Sequence, residues 1–155
     1  MIIPTPKTYF LACGAAEGLT ELNAFDAALL QAGIGNTNLV KVSSILPPAC
    51  REIPPAALPP GAIVPVAYAW ITGDRPGEII SAGVAIAFPE DEGRPGLIME
   101  YADRASREDT EERVIEMAKQ GMAIRGEPVR KVISRAVEHR VTSLGAAIAA
   151  VVLWT

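Results

Sequence analysis

Three observations predict an α+β fold with mostly antiparallel sheets. Two stretches repeat apolar residues at helical spacing, whereas seven read as strands. Those strands follow one another with few helical crossovers, which parallel sheets would require. Seven of the chain's 13 prolines fall between residues 47 and 65, which excludes helix there and argues against central strand.

Taken in order, "TYFLACG" at 8–14 reads as a short buried strand. "LTELNAFDAALLQAG" at 19–33 reads as a helix, with Leu22, Phe25 and Leu29 at helical spacing and Gly33 as its C-terminal cap. "NLVKVSSIL" at 38–46 is a strand, and the proline-rich loop follows it. "AIVPVAYAWIT" and "EIISAGVAIAF" read as the arms of a hairpin turning at "GDRPG". "GLIMEYAD" is a further strand. A second helix starts at Ser106, three residues before Asp109 in a capping-box pattern. Glu108, Glu111 and Glu112 complement its N-terminus, and Val114, Ile115, Ala118 and Met122 form its apolar face. Residues 129–141 and 144–154 read as two last strands. The order is β-α-β-β-β-β-α-β-β, in one domain with no internal repeat.

Composition narrows the function classes. Half of the 155 residues are hydrophobic and 21% are charged, a globular balance. Aromatics are only 5%, so a domain of Ala, Val, Ile and Leu has apolar surface to bury against copies of itself. Net charge is −4 and the pI about 5.0. No basic stripe is present, which argues against nucleic acid as a partner. "MIIPTPKTYF" lacks the pattern of a secretory signal, and "LGAAIAAVVLW" is too short to cross a bilayer. No membrane partner and a cytoplasmic location are therefore expected. Cys13 and Cys50 have no metal-ligand spacing, so they read as packed thiols and no metal is expected. "GIGNTN" at 33–38 follows a helix and precedes a strand, the reverse of a dinucleotide loop, so it reads as a helix cap and turn.

The unusual stretch is "KVSSILPPAC", with Ser43 and Ser44 inside a β-type run. Serine adds little to a strand, and a buried hydroxyl is costly without a partner. The pair either packs against backbone acceptors or supplies a nucleophile. Lys41 lies two residues from Ser43, which leaves a Ser-Lys hydrolase open. Glu100 interrupts the apolar strand "IMEY": it either faces solvent or is buried with a raised pKa suited to a general acid. Asp26 follows Leu22 by four residues and borders the helix's apolar face. It is either an exposed carboxylate or an anchor for a guanidinium. His139, the one histidine, reads as structural.

"LNAFDAALLQAGIGNTNLVKVSSILPP" and "EDEGRPGLIMEY" together resemble the pyruvoyl-dependent arginine decarboxylases. The resemblance continues through "EHRV" and the apolar C-terminal strand, so it covers nearly the whole chain. It implies a four-layer αββα sandwich that assembles as homotrimers of αβ protomers, or dimers of such trimers, with active sites between neighbours. It implies self-cleavage between Ser43 and Ser44, giving a β chain of residues 1–43 and an α chain of residues 44–155. Ser44 Oγ attacks the Ser43 carbonyl, the resulting ester undergoes β-elimination, and loss of ammonia leaves a pyruvoyl group at residue 44. That covalent group replaces pyridoxal phosphate: its ketone bonds an amino-acid amine and draws electrons from Cα. The substrate implied is L-arginine and the product agmatine, in polyamine synthesis or acid resistance. By resemblance, Asn38 assists processing, Glu100 is the proton donor, Asp26 binds the substrate side chain, and Gly35 and the new Ser43 carboxylate lie against the substrate. Another cationic amino acid, or a homologue that never cleaves, are the alternatives.

Overall fold

The computed structural model describes residues 3–155. Met1 and Ile2, which open the segment read as no secretory signal, lie outside them. The described strands are β1 (Thr8–Glu17), β2 (Asn38–Lys41), β3 (Ile45–Leu46), β4 (Arg51–Glu52), β5 (Ile63–Gly73), β6 (Ile79–Pro89), β7 (Gly96–Asp103), β8 (Val129–Arg140) and β9 (Gly145–Trp154). The helices are α1 (Glu21–Gln31) and α2 (Arg107–Ile124).

The strands form two sheets, ordered β2-β5-β9-β1-β4 and β3-β7-β6-β8. Only β1–β4 and β2–β5 pair in parallel. α1 packs on the outer face of the five-stranded sheet, and α2 on the outer face of the four-stranded sheet. The layers are therefore αββα. Between the sheets lies one core, with Leu11, Ala67, Ile80, Val84, Ile86, Ile98, Ala149 and Val151. β6 and β9 are buried on both faces, which is why "EIISAGVAIAF" and "LGAAIAAVVLW" are apolar almost throughout.

Both helices stop as their sequences require. Gly33 (φ +83°) follows α1. Its N–H donates to Leu30 O, and the Ile34 N–H donates to Leu29 O. Gly126 ends α2 in the same way. This paired hydrogen-bond closure satisfies carbonyls that would otherwise be left open. Ser106 caps α2 by accepting from Asp109 N.

Two expectations are corrected. The run 38–46 is not one strand: β2 pairs with β5 in the first sheet, while β3 pairs with β7 in the second. β5 and β6 are not hairpin arms either. They belong to different sheets and meet face to face. The proline-rich loop adds one two-residue strand, β4, at a sheet edge, where few ladder donors are needed.

The face of α1 also differs from the expectation. Ala24, Ala28 and Leu29 are buried, while Leu22 is 73% exposed. The cause is a close approach: a Cβ on Gly14 of β1 would lie 2.2 Å from Ala28 O. Only small residues fit where the helix crosses, so Ala24 and Ala28 take the inner face beside Leu29, while Leu22 and Leu30 turn outward.

Glu17, at the end of β1, ties down the β8–β9 turn. Its Oε1 accepts from Ser143 N (2.8 Å) and Leu144 N (3.0 Å), and its Oε2 from Thr142 N (3.3 Å). His139 Nε2 meets Oε2 at 2.5 Å, which gives the lone histidine its structural place. Burial pushes this carboxyl's pKa up. The bonds from His139 and the three backbone donors outweigh burial and hold it at about 2, against an ordinary 4.5. A depressed folded-state pKa stabilises above the unfolded value, and that contribution is lost as pH falls from about 4.5 towards 2. Discounted for the exposure of the site, the contribution is about 1–2 kcal/mol. Glu17→Gln is expected to lower Tm at pH 7 by about 2–6 °C. Thermal scans from pH 7 down to pH 2 should show the gap to wild type closing.

Candidate active site

The serine pair occupies the crossing between sheets. β2 ends at Lys41, the Val42 N–H still donates to Val66 O of β5 (3.1 Å), and Ser44 O already accepts from Ile98 N of β7 (2.7 Å). Ser43 has no ladder hydrogen bond of its own in either sheet and is exposed; Ser44 is half-buried. Neither hydroxyl has a partner among the described residues, and no side-chain oxygen there is buried without one. Both Oγ atoms therefore reach open space. The Ser43–Ser44 peptide bond is held from both ends, while the Ser43 carbonyl accepts no hydrogen bond among the described residues. This answers why two serines interrupt a β-type run: they form the link where the chain leaves one sheet for the other. The residues present fit a pyruvoyl group at position 44, since the residue's carbonyl is fixed and its side chain is free.

Glu100 lies on β7, two residues beyond Ile98, and shares the row of Val84 facing the intersheet core. Burial pushes its carboxyl pKa up, and Lys41 partly opposes that. Lys41 Nζ is 4.0 Å from Glu100 Oε1 and 4.9 Å from the centre of the Tyr68 ring. The lysine thus turns to the glutamate and the tyrosine, with no hydrogen bond to either serine among the described residues. The Ser-Lys arrangement assumed a strand running through residue 43, but β2 stops at Lys41.

The other expected residues are elsewhere. Asn38 starts β2, about 10 Å along the strand from Lys41 at 3.3 Å per residue. Its Nδ2 donates to Gly61 O at 3.2 Å. Asp26 is exposed on α1 and makes no hydrogen bond or ion pair among the described residues. Gly35 abuts the end of α1, where a Cβ would lie 2.6 Å from Leu30 Cδ2 and 2.8 Å from Leu30 N. The expected residues therefore fall into two groups within one chain. Ser43, Ser44, Lys41 and Glu100 lie at the sheet crossing; Asp26, Gly35 and Asn38 lie at α1 and the start of β2. Three cavities, of about 210, 430 and 220 Å³, are lined by none of Asp26, Ser43, Ser44 or Glu100.

Sequence reasoning missed Tyr68. Nothing local marks it, since β2 and β5 meet only in the folded sheet. Cys13 and Cys50 are free, and burial pushes both thiols up, Cys13 to about 11, so neither is a thiolate at neutral pH. No group of three or more potential metal ligands occurs among the described residues. No described helix is long and apolar enough to cross a membrane.

The family model for pyruvoyl-dependent arginine decarboxylase matches residues 8–155. A pyruvoyl-dependent arginine decarboxylase of Methanocaldococcus jannaschii is 51% identical over 149 residues, covering 96% of this chain and 90% of that one. One from Pyrococcus abyssi is 42% identical over 154 residues, covering 97% and 96%. A solved pyruvoyl-dependent histidine decarboxylase shares the fold, with a TM-score of 0.52 and 19% identity over 61% of this chain and 51% of its own. With a serine pair poised between two sheets and this likeness along its whole length, the chain belongs to the pyruvoyl-dependent arginine decarboxylase family.

Proposed function

We propose that the chain cleaves itself between Ser43 and Ser44 and, as an assembly of cleaved protomers, converts L-arginine to agmatine and carbon dioxide. The observation that carries the reading is the position of the serine pair, anchored in one sheet before the bond and in the other after it. Ser44 Oγ adds to the Ser43 carbonyl carbon and the C–N bond breaks, leaving an ester. Loss of the residue 44 Cα proton breaks the Cβ–O bond, releasing Ser43 as a carboxylate. Water then replaces nitrogen at Cα of residue 44, and ammonia leaves. The pyruvoyl ketone so formed supplies the electron-withdrawing group bonded to the substrate's amine nitrogen. Glu100 delivers a proton from its carboxyl to the substrate Cα after carbon dioxide departs. Asp26 takes the planar guanidinium through two parallel hydrogen bonds.

The two groups support sites shared between protomers of a trimer, in which Asp26, Gly35 and Asn38 of one chain face Ser44 and Glu100 of the next. On α1 and beside it the surface is apolar: Leu19, Leu22, Leu30 and Trp70 are 91%, 73%, 53% and 41% exposed. A patch of this kind is suited to an interface. In such an arrangement the Asn38 amide serves the neighbour's Ser43 carbonyl. The two unpaired cysteines, Cys13 and Cys50, favour a reducing compartment such as the cytoplasm.

Asp26→Asn should still be cleaved, because the side-chain pocket has no part in the acyl shift. Its kcat/KM for arginine should fall tenfold or more, given about 1.5–3 kcal/mol for a hydrogen bond to a charged group. Co-expression with Glu100→Gln chains tests the sharing. Hybrid trimers contain some sites with both residues intact, so carbon dioxide release should exceed that of either variant alone. Release no greater than the sum of the two variants separately would place both residues in one chain's site.

A further inference from the structure

Lys41 has no role in the reaction as described so far, yet its ammonium pairs with Glu100. It projects from the last residue of β2, with the Tyr68 ring at 4.9 Å and Glu100 Oε1 at 4.0 Å. Its side chain is half exposed, whereas that of Glu100 is 21% exposed. We propose that Lys41 is a positioning residue for Glu100: held against Tyr68, its ammonium fixes the carboxyl and stabilises the carboxylate left when the proton moves to substrate. The inference rests on the reading of Glu100 as the proton donor.

The chemistry explains why a cation belongs there. Each turnover replaces carbon dioxide by a proton at Cα, so Glu100 becomes an anion in a partly buried site. An unpaired buried carboxylate is costly, which makes the neutral acid a reluctant donor. A cation nearby lowers that cost and makes it a stronger acid. The cation–π contact keeps the lysine in place on its flexible stem.

Among the described residues no other charged group is placed to do this. On β7, Tyr101 points to the α2 side, where Arg113 lies 6.0 Å from its ring. Across β6, Arg135 of β8 shares the row of Val84 and Glu100, but its guanidinium donates to Leu11 O. β3 contributes no titratable side chain, and Tyr68 is the β5 residue at Lys41. Among the described residues, Lys41 is the charge that opposes the effect of burial on Glu100. Cleavage adds a single further anion, the Ser43 carboxylate, two residues from Lys41.

The test uses Lys41→Met, which keeps the length and loses the charge, and Lys41→Arg, which keeps the charge. Carbon-13 NMR of the glutamate carboxyls, in Ser44→Ala protein, isolates the pair from the new Ser43 carboxylate and needs no turnover. Lys41→Met should raise the Glu100 midpoint by roughly 0.5–1 pH unit, and Lys41→Arg should restore it. In processed enzyme the alkaline limb of kcat against pH should move up by the same amount in Lys41→Met. Its plateau should fall roughly two- to fivefold, because the acid is weaker. Intact mass confirms that the variant is processed before its kinetics are read. An unmoved midpoint overturns the Lys41 inference alone. Full kcat in Glu100→Gln protein overturns the donor role, and the inference with it.

Discussion

Ser44→Ala protein is expected to remain one chain of 155 residues and to release no carbon dioxide from arginine. Without Oγ there is no nucleophile to shift the acyl group, and alanine cannot become a ketone. The substitution removes one oxygen that has no hydrogen-bond partner among the described residues. The anchor that holds position 44 is its backbone carbonyl on Ile98 N, and alanine keeps it. Stability should therefore change by less than about 0.5 kcal/mol. Wild type should give two fragments by intact-mass spectrometry, of 43 and 112 residues (155 − 43 = 112), the larger with a carbonyl in place of its amine. Cleavage or decarboxylation in well-folded Ser44→Ala protein would remove the serine pair from the chemistry.

Glu100→Gln should separate processing from turnover. The amide keeps the size of the side chain beside Val84 of β6 and next to Lys41, so the sheet crossing is undisturbed and cleavage proceeds. The variant has no carboxyl proton to give to Cα. General acid catalysis contributes typically 10²–10⁴-fold, and kcat should fall by that order. The change in KM should be smaller, because the donated proton matters after the substrate is bound. In wild type, the rate should fall on the alkaline side as Glu100 loses its proton, at a pH above that of an ordinary glutamate because burial raises its pKa. If Glu100→Gln protein stays uncleaved, the residue belongs to processing instead.

The sequence made the parts legible where local chemistry decides them. "GLIMEYAD" is β7 to the residue, because Gly96 and Asp103 bound an apolar run. Ser106 and Gly33 mark helix ends because capping is a local hydrogen-bond problem. What a strand pairs with is not local. "GDRPG" serves equally to reverse a hairpin or to carry the chain from one sheet to the other, and the core decides between them. The break inside 38–46 was hidden for the same reason. Val42 and Ile45 fit β structure, but nothing in their spacing says that the residues between them change sheets. On α1 Leu29 is buried as its spacing suggests, but Leu22 is not: size signals burial only where there is room, and Gly14 brings the strand close to the helix. Of the candidate site, Glu100 shows its buried carboxyl as an interruption of an apolar run. Asp26 and Asn38 rest on family resemblance, since within one chain neither meets the serines.

The proposed cleavage at the sheet crossing would have a consequence for the later life of the molecule. Residues 1–43 contribute β1, which runs between β9 and β4 through ten paired residues with β9, and β2, which closes the opposite edge on β5. The shorter piece thus straddles a sheet whose remaining strands belong to the longer one. In the native state the cut hardly matters, since the non-covalent ladder still holds both pieces. In the denatured state it matters greatly, because the two pieces are free to diffuse apart. Before the cut, refolding is a first-order event within one chain; after it, refolding must begin with an encounter between two chains and slows with dilution. On the proposed cleavage, the chain would give up part of its ability to refold in order to make its cofactor.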